Sequence, residues 1–325
     1  MHAFGLQDLR KTAAVLLMGI VAMAGLAACG GGGGDEKPTI TLLEGNWTSQ
    51  RIMTEVSDIV ISEQLGYPTA RLLSDITPGW AAICNGDADT AVEAWLPSRL
   101  PEMQPFLDQG CLELGGTNFP GTIGWFVPKY LVEGANAKAP DLDSVDDLNQ
   151  YWELFENPEQ PGKGELIGGE IGWIDQPQDI SRIMGYDLNY YRSNQGEAVI
   201  LTTIKSSALR ERPFLTYLWT PHSIFGEVDL VQLDEPKPYV EGECFVEENV
   251  PYQCAHPAFD VRTALSPDLK EKAPDVYNFI NNMHFGEQTV SELMYEVDGL
   301  DRPIEEVAKE WVEANQAAID DWIKE

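Results

Sequence analysis

Residues 39–47 read TITLLEGNW and residues 89–97 read DTAVEAWLP, and these two stretches decide the fold class. Each is a short run of β-branched and apolar residues that leads into a tryptophan, which predicts a strand with an aromatic residue at its carboxyl end. Between them, apolar spacing and turn residues predict a helix after Trp47, a strand at 69–73 and a helix at 76–84. A strand–helix–strand–helix–strand order is typical of an α/β domain with a mostly parallel sheet.

The rest of the chain repeats this alternation and then changes pattern. The predicted elements are strands at 122–128, 167–173, 214–219 and 258–265 and helices at 144–155, 195–210, 273–283 and 304–323. Two α/β units followed by a return of the chain predict two lobes around a cleft. We place lobe 1 at residues 39–121 plus about 234–325, and lobe 2 at residues 122–233.

The N-terminal residues have the pattern of an export signal. A basic Arg10-Lys11 pair precedes the apolar run 13–28, which is short for a membrane span. The run ends in Leu-Ala-Ala-Cys, which is similar to a bacterial lipobox and implies lipidation of Cys29. We therefore expect a signal peptide at 1–28, a Gly-rich tether at 29–38, and a protein anchored at the outer face of the cytoplasmic membrane or on the periplasmic side. The alternative is an ordinary signal peptide with an unrelated cysteine.

The cysteines fit an oxidising compartment. The chain has five, and setting Cys29 aside leaves an even number. Short loops favour the pairs Cys84–Cys111 and Cys244–Cys254. A metal site is the rival interpretation, but there is no C-x-x-C and the chain has only 4 His. We predict disulfides, no metal and no cofactor.

Composition and motifs exclude several function classes. Lys+Arg 21 against Asp+Glu 53 gives a net charge of -32, which argues against a nucleic-acid-binding or polybasic membrane surface. The hydrophobic content of 43% is normal for a folded chain. The sequence has no G-x-S-x-G nucleophile elbow and no phosphate-binding P-loop. We expect a protein that is not an enzyme, and any ATPase would be a separate subunit.

Four of the 9 tryptophans follow predicted strands, at positions where the strands should open onto a common cleft: Trp47, Trp95, Trp173 and Trp219. In open α/β sheets, ligands bind beyond the carboxyl ends of the strands. Indole faces grouped around a cleft suit a quaternary ammonium ion, because such a cation donates no hydrogen bond and is held by ring quadrupoles and dispersion. Trp47 could equally pack under the first helix, and Trp125 is expected in the core.

Segments around these tryptophans resemble the binding proteins of ABC importers for glycine betaine, proline betaine and choline, of the osmoprotectant-binding lipoprotein type. The resemblance covers about residues 39–325 and is carried by residues 86–97, 124–128, 169–173 and 219–222. It implies a Venus-flytrap fold, a cage of Trp95, Trp173 and Trp219, and delivery of a quaternary amine to an ABC permease with its ATPase subunit.

The resemblance also implies a grip for the ligand carboxylate. Arg99, four residues after the first cage tryptophan, would supply a planar donor, and the backbone N–H groups of Ile174 and Asp175 would add two more. Arg99 could instead form a surface ion pair. Asp175 could pair with Arg99 or mark a ligand without a carboxylate, such as choline. Glu44 and Glu93, near strand ends, are candidates for setting the polarity of the cleft.

Three rival functions are compatible with these residues. The same fold could bind another small zwitterion or cationic amine, such as choline or carnitine. An exported hydrolase is a second rival, but pairs of acids arise by chance among 53 acidic residues. A sugar-binding module is the third, because tryptophan faces also stack on sugars, although sugar sites usually carry more polar donors near the rings.

Overall fold

The structure of the chain is a computed structural model that describes residues 37–173, 175–241, 243–244, 251 and 253–324, without the side chains of Ile76 and Asp175. The predicted signal peptide, the lipidation site Cys29 and the residue Ile174 lie outside the described residues. Within the described part, no helix is both long and apolar enough to cross a membrane.

The strands agree with the sequence pattern at most positions. They are β1 (Ile40–Glu44), β2 (Thr69–Leu73), β3 (Thr90–Leu96), β4 (Glu113–Pro128), β5 (Gly164–Gly168), β6 (Tyr190–Asn194), β7 (Leu215–Thr220), β8 (Leu230–Gln232) and β9 (Phe259–Leu265). The predicted strand at 122–128 is only the second half of the long strand β4. The predicted strand at 167–173 is wrong in its bounds, because β5 ends at Gly168 and Trp173 lies in the loop that follows.

The helices are α1 (Thr48–Ile59), α2 (Ile76–Asn85), α3 (Leu100–Asp108), α4 (Lys129–Val132), α5 (Asp175–Gly185), α6 (Glu197–Ala208), α7 (Leu269–Lys272), α8 (Pro274–Asn282), α9 (Glu287–Met294), α10 (Ile304–Ala314) and α11 (Gln316–Ile323). The helix predicted at 144–155 is a pair of short 3-10 helices. The single C-terminal helix predicted at 304–323 is divided at Asn315 into α10 and α11.

The strands form a mixed sheet in the order β2-β1-β3-β9-β4-β7-β5-β6, with β8 paired to β4. Strand β1 runs parallel to β2 and β3, and β5 runs parallel to β6 and β7. Between these two parallel parts, β9 and β4 pair antiparallel with their neighbours. The fold class is α/β as predicted, but antiparallel pairing occupies more of the sheet than the strand–helix alternation indicated.

Strand β4 connects the two halves of this sheet. Its first part pairs with β9 as far as Gly121, and from Thr122 onward it pairs with β7. We call the half formed by β1, β2, β3, β9 and residues 113–121 sheet 1, and the half formed by β5, β6, β7, β8 and residues 122–128 sheet 2. The cleft described below lies where β4 passes from one to the other.

Each half has its own packing. The C-terminal helices cover part of sheet 1, where Trp311 and Trp322 stack at 5.8 Å and Phe285 stacks on Trp311 at 4.6 Å. In sheet 2, Trp125 is fully buried in a separate apolar cluster and donates a hydrogen bond to Asp179 at 2.6 Å. Trp125 is therefore a core residue, as expected.

Two disulfides join the four described cysteines. Cys84 at the end of α2 is bonded to Cys111 after α3, and Cys244 is bonded to Cys254. These are the pairs that loop length favours.

We call the described residues between β8 and β9 (233–241, 243–244, 251 and 253–258) the return segment, and several of them pack against α5. Arg182 of α5 lies 3.2 Å from Glu235 Oε1 and donates to the carbonyl of Cys254 at 2.9 Å. Tyr186 donates to the carbonyl of Gln253 at 2.6 Å. Helix α5 was not predicted, because its sequence DQPQDISRIMG has few apolar residues and an internal proline.

Candidate functional site

Four tryptophans meet around one cavity between sheet 1 and sheet 2. Trp47, Trp95 and Arg99 line it from the sheet 1 side, and Trp173 and Trp219 line it from the sheet 2 side, together with Ile123 and Tyr217. The four indoles are only 4–8% exposed. The structure thus brings together every predicted cage residue, and it places Trp47 in the wall of the cleft.

The Trp173 plane stands nearly perpendicular to the planes of Trp47 and Trp219. The Trp173 and Trp219 rings are 5.4 Å apart at 86°, and the Trp47 and Trp173 rings are 6.2 Å apart at 80°. Perpendicular rings form adjacent walls of a box, so that several ring faces can contact one enclosed group. That arrangement suits a compact cation with no hydrogen-bond donors.

Trp95 and Trp219 owe their positions to the ends of strands. Trp95 is the penultimate residue of β3, and its ring packs edge-on against Phe119 and Phe259 of sheet 1 at 5.9 and 5.6 Å. A Cβ at Gly121 would lie 2.6 Å from Trp95 Cζ3, so the indole needs the glycine where β4 changes partners. Trp219 is the penultimate residue of β7. A cis X-Pro bond follows each of these strands, at Leu96-Pro97 and Thr220-Pro221.

Glu93 connects two walls of the box. Its Oε2 accepts the indole N–H of Trp47 at 2.7 Å and that of Trp95 at 2.9 Å. Glu93 and Trp95 are two residues apart in β3, so the pleat turns both side chains to the same face. Trp47 immediately precedes α1. The carboxylate therefore fixes one indole on its own strand and another across the gap to β1.

The environment of Glu93 disfavours its charge. Burial, with a smaller contribution from the neighbouring Glu197 carboxylate, raises the pKa of this carboxyl to about 7. Hydrogen bonds from Trp95 and Trp47 oppose the shift because they favour the ionised form.

Trp173 is held by contacts that cross the cleft. Its indole N–H donates to Asn46 Oδ1 at 2.8 Å, while the Asn46 amide donates to Glu170 on the same loop as Trp173. The ring lies directly over Gly169, where a Cβ would collide with it. Trp219 differs from the other three indoles, since its buried N–H has no acceptor within the described residues.

The N-terminus of α1 is capped from sheet 2. Glu197, in the first turn of α6, accepts the backbone N–H of Thr48 at 2.6 Å. The Thr48 hydroxyl lies 3.0 Å from Glu197 and 3.1 Å from Asp298, and His222 Nε2 lies 3.2 Å from Glu197. Burial and the charge of Glu197 raise the pKa of Asp298 to about 6. This cluster is a second bridge across the cleft, and it is rich in carboxylates.

Arg99 is buried at the edge of the cage. It precedes α3, is 3% exposed and lies 3.3 Å from Glu102. The ion pair with Glu102 is therefore present, but Arg99 lines the cavity rather than the open surface. Asp175 begins α5, and Ile174 is outside the described residues.

Ile123 and Tyr217 are lining residues that the sequence reasoning missed. Tyr217 lies two residues before Trp219 in β7, so the two share a face, and Ile123 is paired directly with Trp219 across β4 and β7. The alternation of β7 was a usable signal for Tyr217. The position of Ile123 depends on strand register, which the sequence does not reveal. In the described part of the chain, no group of three or more His, Cys, Asp or Glu could hold a metal ion.

Comparison with known proteins identifies the family of the chain. The sequence pattern of the substrate binding domain of ABC-type glycine betaine transport systems (OpuAC) matches residues 38–314. The glycine betaine/carnitine transport binding protein GbuC of Listeria monocytogenes is 31% identical over 168 residues, which are 49% of this chain and 50% of that protein. The match thus spans half the length of that relative.

Solved structures with little sequence identity share the fold. Lactococcal OpuAC, closed and complexed with glycine betaine, is 20% identical with a TM-score of 0.71, covering 89% of this chain and 100% of that one. ProX of Borrelia burgdorferi is 21% identical with a TM-score of 0.73, covering 88% and 97%. An ABC-transporter choline binding protein in complex with choline is 18% identical with a TM-score of 0.71, covering 88% and 91%. The fold is therefore that of two-lobed binding proteins, and the chain belongs to the family of substrate binding domains of ABC-type glycine betaine transport systems.

Proposed function

We propose that this protein captures glycine betaine, or a closely related quaternary ammonium compound, for an ABC importer. The observation that carries the proposal is the box of four buried tryptophans around one cavity. Indole faces grouped around one cavity suit a trimethylammonium group, which offers only dispersion and charge to its partners. The family to which the chain belongs supports the same ligand class.

Arg99 would hold the carboxylate of a betaine. It is the cationic side chain of the cavity lining, and a buried carboxylate needs a hydrogen-bonded or charged partner. In the proposal, the backbone N–H groups of Ile174 and Asp175 complete this grip. The ligand would then lie with its ammonium group in the box and its carboxylate toward Arg99.

Choline is the second candidate ligand. Buried carboxylates near the cage, Glu93 and Glu197, favour a ligand with net positive charge over a zwitterion. A choline complex is also among the structures that share the fold. Binding of choline would need no role for Arg99.

The wider role follows from this binding function. One lobe would comprise residues 39–121 plus about 234–325, and the other residues 122–233. The lobes would close on the ligand by a hinge. The residues of β4 near its change of partner would form part of the connection between the lobes. Residues 1–28 would be a signal peptide and Cys29 a lipid anchor on the extracytoplasmic face. The partners would be an ABC permease and its ATPase subunit, and the protein would carry out no chemical conversion.

Calorimetric titration of the purified protein tests the proposal. Glycine betaine, proline betaine, carnitine, choline and a sugar form the panel, and the variants Trp95→Ala, Trp173→Ala and Trp219→Ala should each bind the preferred ligand more weakly. Trp311→Ala is the matched control, because this tryptophan packs between Phe285 and Trp322, away from the cleft. Binding of the sugar alone, or turnover of any ligand, would contradict the proposal.

A further inference from the structure

Glu93 is buried behind two walls of the cage and bonds to both. The residue is 1% exposed, and a single oxygen, Oε2, accepts the indole N–H groups of Trp47 and Trp95. One acceptor shared by two donors fixes the edges of both rings relative to each other. Any movement of this carboxylate would therefore change the angle between two faces that the ligand contacts.

The charged neighbours of Glu93 differ from those of two other buried acids in this molecule. Asp179 pairs with Arg192 at 2.9 Å, and Glu235 pairs with Arg182 at 3.2 Å and with His256 at 3.0 Å. Among the residues that the structure describes, no Lys, Arg or His forms an ion pair with Glu93. A buried ion without a counter-ion is costly, so such sites occur where the charge has a role.

We propose that Glu93 is a positioning and specificity residue of the cage, which orients Trp47 and Trp95 through their N–H groups and supplies the negative charge that selects a cationic ligand. The inference rests on the proposed function, because it takes the box as the site of a quaternary ammonium group. The ligand then acts as a counter-ion that the described residues do not provide. Electron-rich indole faces and a carboxylate behind them attract the same charge.

The affinity for a cationic ligand should depend on pH. Burial raises the pKa of the Glu93 carboxyl to about 7, and a cation in the box favours the ionised form. Binding at neutral pH should therefore release protons, and affinity should rise as the pH increases from 6 to 8. The groups that face Glu93 are Ser49 of α1, the two indoles and Glu197 of α6, and Asp298 and His222 lie behind Glu197. Because Asp298 also titrates in this range, the test compares variants rather than one profile.

The variant Glu93→Gln tests the charge of this side chain separately from its hydrogen bonds to the two indoles. The amide oxygen can still accept both indole N–H groups, whereas the charge is lost. We expect affinity for choline and glycine betaine to fall by about tenfold or more, the order produced by removing one nearby buried charge. Carbon isosteres carry a tert-butyl group in place of the ammonium group: neutral 3,3-dimethyl-1-butanol for choline and anionic 3,3-dimethylbutanoate for glycine betaine. The first should lose little affinity in Glu93→Gln, and the second should lose none or gain. The rise in affinity between pH 6 and 8 should flatten.

Two further variants provide controls. Glu197→Gln removes a buried charge that bonds to neither indole. It should therefore reduce the preference for charged over uncharged ammonium isosteres less than Glu93→Gln does, and the pH profile should move to lower pH. Glu93→Leu removes both hydrogen bonds as well as the charge, and it should weaken charged and uncharged ligands alike. Circular dichroism and melting identify any variant that does not fold.

Proton release by the unmodified protein gives a test without any substitution. Titrations at pH 7 in buffers of different ionisation enthalpy should show release of a fraction of a proton per ligand bound. Equal selectivity in Glu93→Gln and the unmodified protein, or no proton release, would overturn the role of Glu93 while quaternary amines still bind. If the unmodified protein binds no quaternary amine, the proposed function itself fails.

Discussion

The cleft and the return segment both bury carboxylates, yet their charges meet opposite surroundings. Burial, which alone would raise the pKa of Glu235, is outweighed by His256 and Arg182, and the pKa falls to about 2. For Glu93, burial is reinforced by Glu197, and the pKa rises to about 7. The two residues are almost equally inaccessible, so the difference comes from the neighbours and not from depth.

This difference separates a structural site from a binding site. In the return segment, the guanidinium of Arg182 on α5 and a backbone hydrogen bond from His256 compensate the acid, and the cluster attaches the segment to α5. In the cleft, carboxylates and aromatic faces are grouped with little compensation, which costs folding free energy and prepares the cavity for a cation. The following variants test the two regions against each other.

Arg182→Met should produce the largest loss of stability. It leaves Glu235 buried without its guanidinium partner, and removing one member of a buried pair costs about 3–5 kcal/mol. Chemical denaturation measures the free energy of unfolding. Arg51→Met is the control, since Arg51 is 51% exposed and lies 4.0 Å from Glu44, and such pairs contribute about 0–1 kcal/mol. Equal losses in the two variants would contradict a compensated structural cluster.

Arg99→Ala should separate betaines from choline. A betaine carboxylate would lose its charged partner, at a cost of about 2–5 kcal/mol of binding free energy. Choline has no carboxylate, so its affinity should change little or improve. Glu102 is partly exposed and stays solvated in the variant. The measurement is the ratio of betaine to choline affinity by calorimetry, with Arg99→Lys recovering only part of the loss because Lys lacks the planar fork. An unchanged ratio would place Arg99 outside the ligand contacts.

Glu93→Gln should stabilise the ligand-free protein at alkaline pH while weakening ligand binding. The folded protein keeps a proton on Glu93 up to about pH 7, whereas the ordinary value is 4.5. The folded state therefore binds more protons in this window, and stability falls as the pH rises through it, by roughly 3 kcal/mol for this group. The free energy of unfolding is measured at pH 5 and at pH 8. Its change between these two pH values should differ between the unmodified protein and Glu93→Gln by about that amount.

The Glu235→Gln variant should show the reverse pH dependence. Because the folded pKa of Glu235 lies near 2, its contribution is present above the ordinary value of 4.5 and disappears as the pH falls toward 2. If the two substitutions change the pH dependence of the unfolding free energy in opposite directions, the contrast between the regions is supported. A change in the same direction for both variants would refute that contrast.

Substitution of single cage tryptophans should give the smallest of these effects. Trp95→Ala, Trp173→Ala or Trp219→Ala should each reduce ligand affinity by about 1–2 kcal/mol or more, the order of a desolvated cation–π contact. Trp125→Phe should lower stability without changing affinity, because Trp125 donates to Asp179 in the core of sheet 2. Three cage variants that bind like the unmodified protein would show that the box is not the binding site.

Features of local chemistry could be predicted from the sequence. The strands that place Trp95 and Trp219 are short apolar runs closed by X-Pro, and their pattern is readable without neighbours. Loop length was enough to favour Cys84–Cys111 and Cys244–Cys254. Features that depend on long-range pairing were missed, among them the first half of β4, whose glycine-rich sequence ELGGTNFPG is stabilised as a strand only by β9.

The sequence by itself therefore determined the α/β alternation, the family resemblance and the set of tryptophans at or shortly after strand ends, because each depends on residues close together in the chain. Only the tertiary structure decided that Trp47 belongs to the box, that Tyr217 and Ile123 line it, and that Glu93 joins two of its walls. Trp47 and Glu93 are 46 residues apart, and their hydrogen bond exists because β1 and β3 are neighbours. The charge of a carboxylate is likewise a property of the fold, since the same side chain has a pKa of about 7 beside Glu197 and about 2 beside Arg182 and His256.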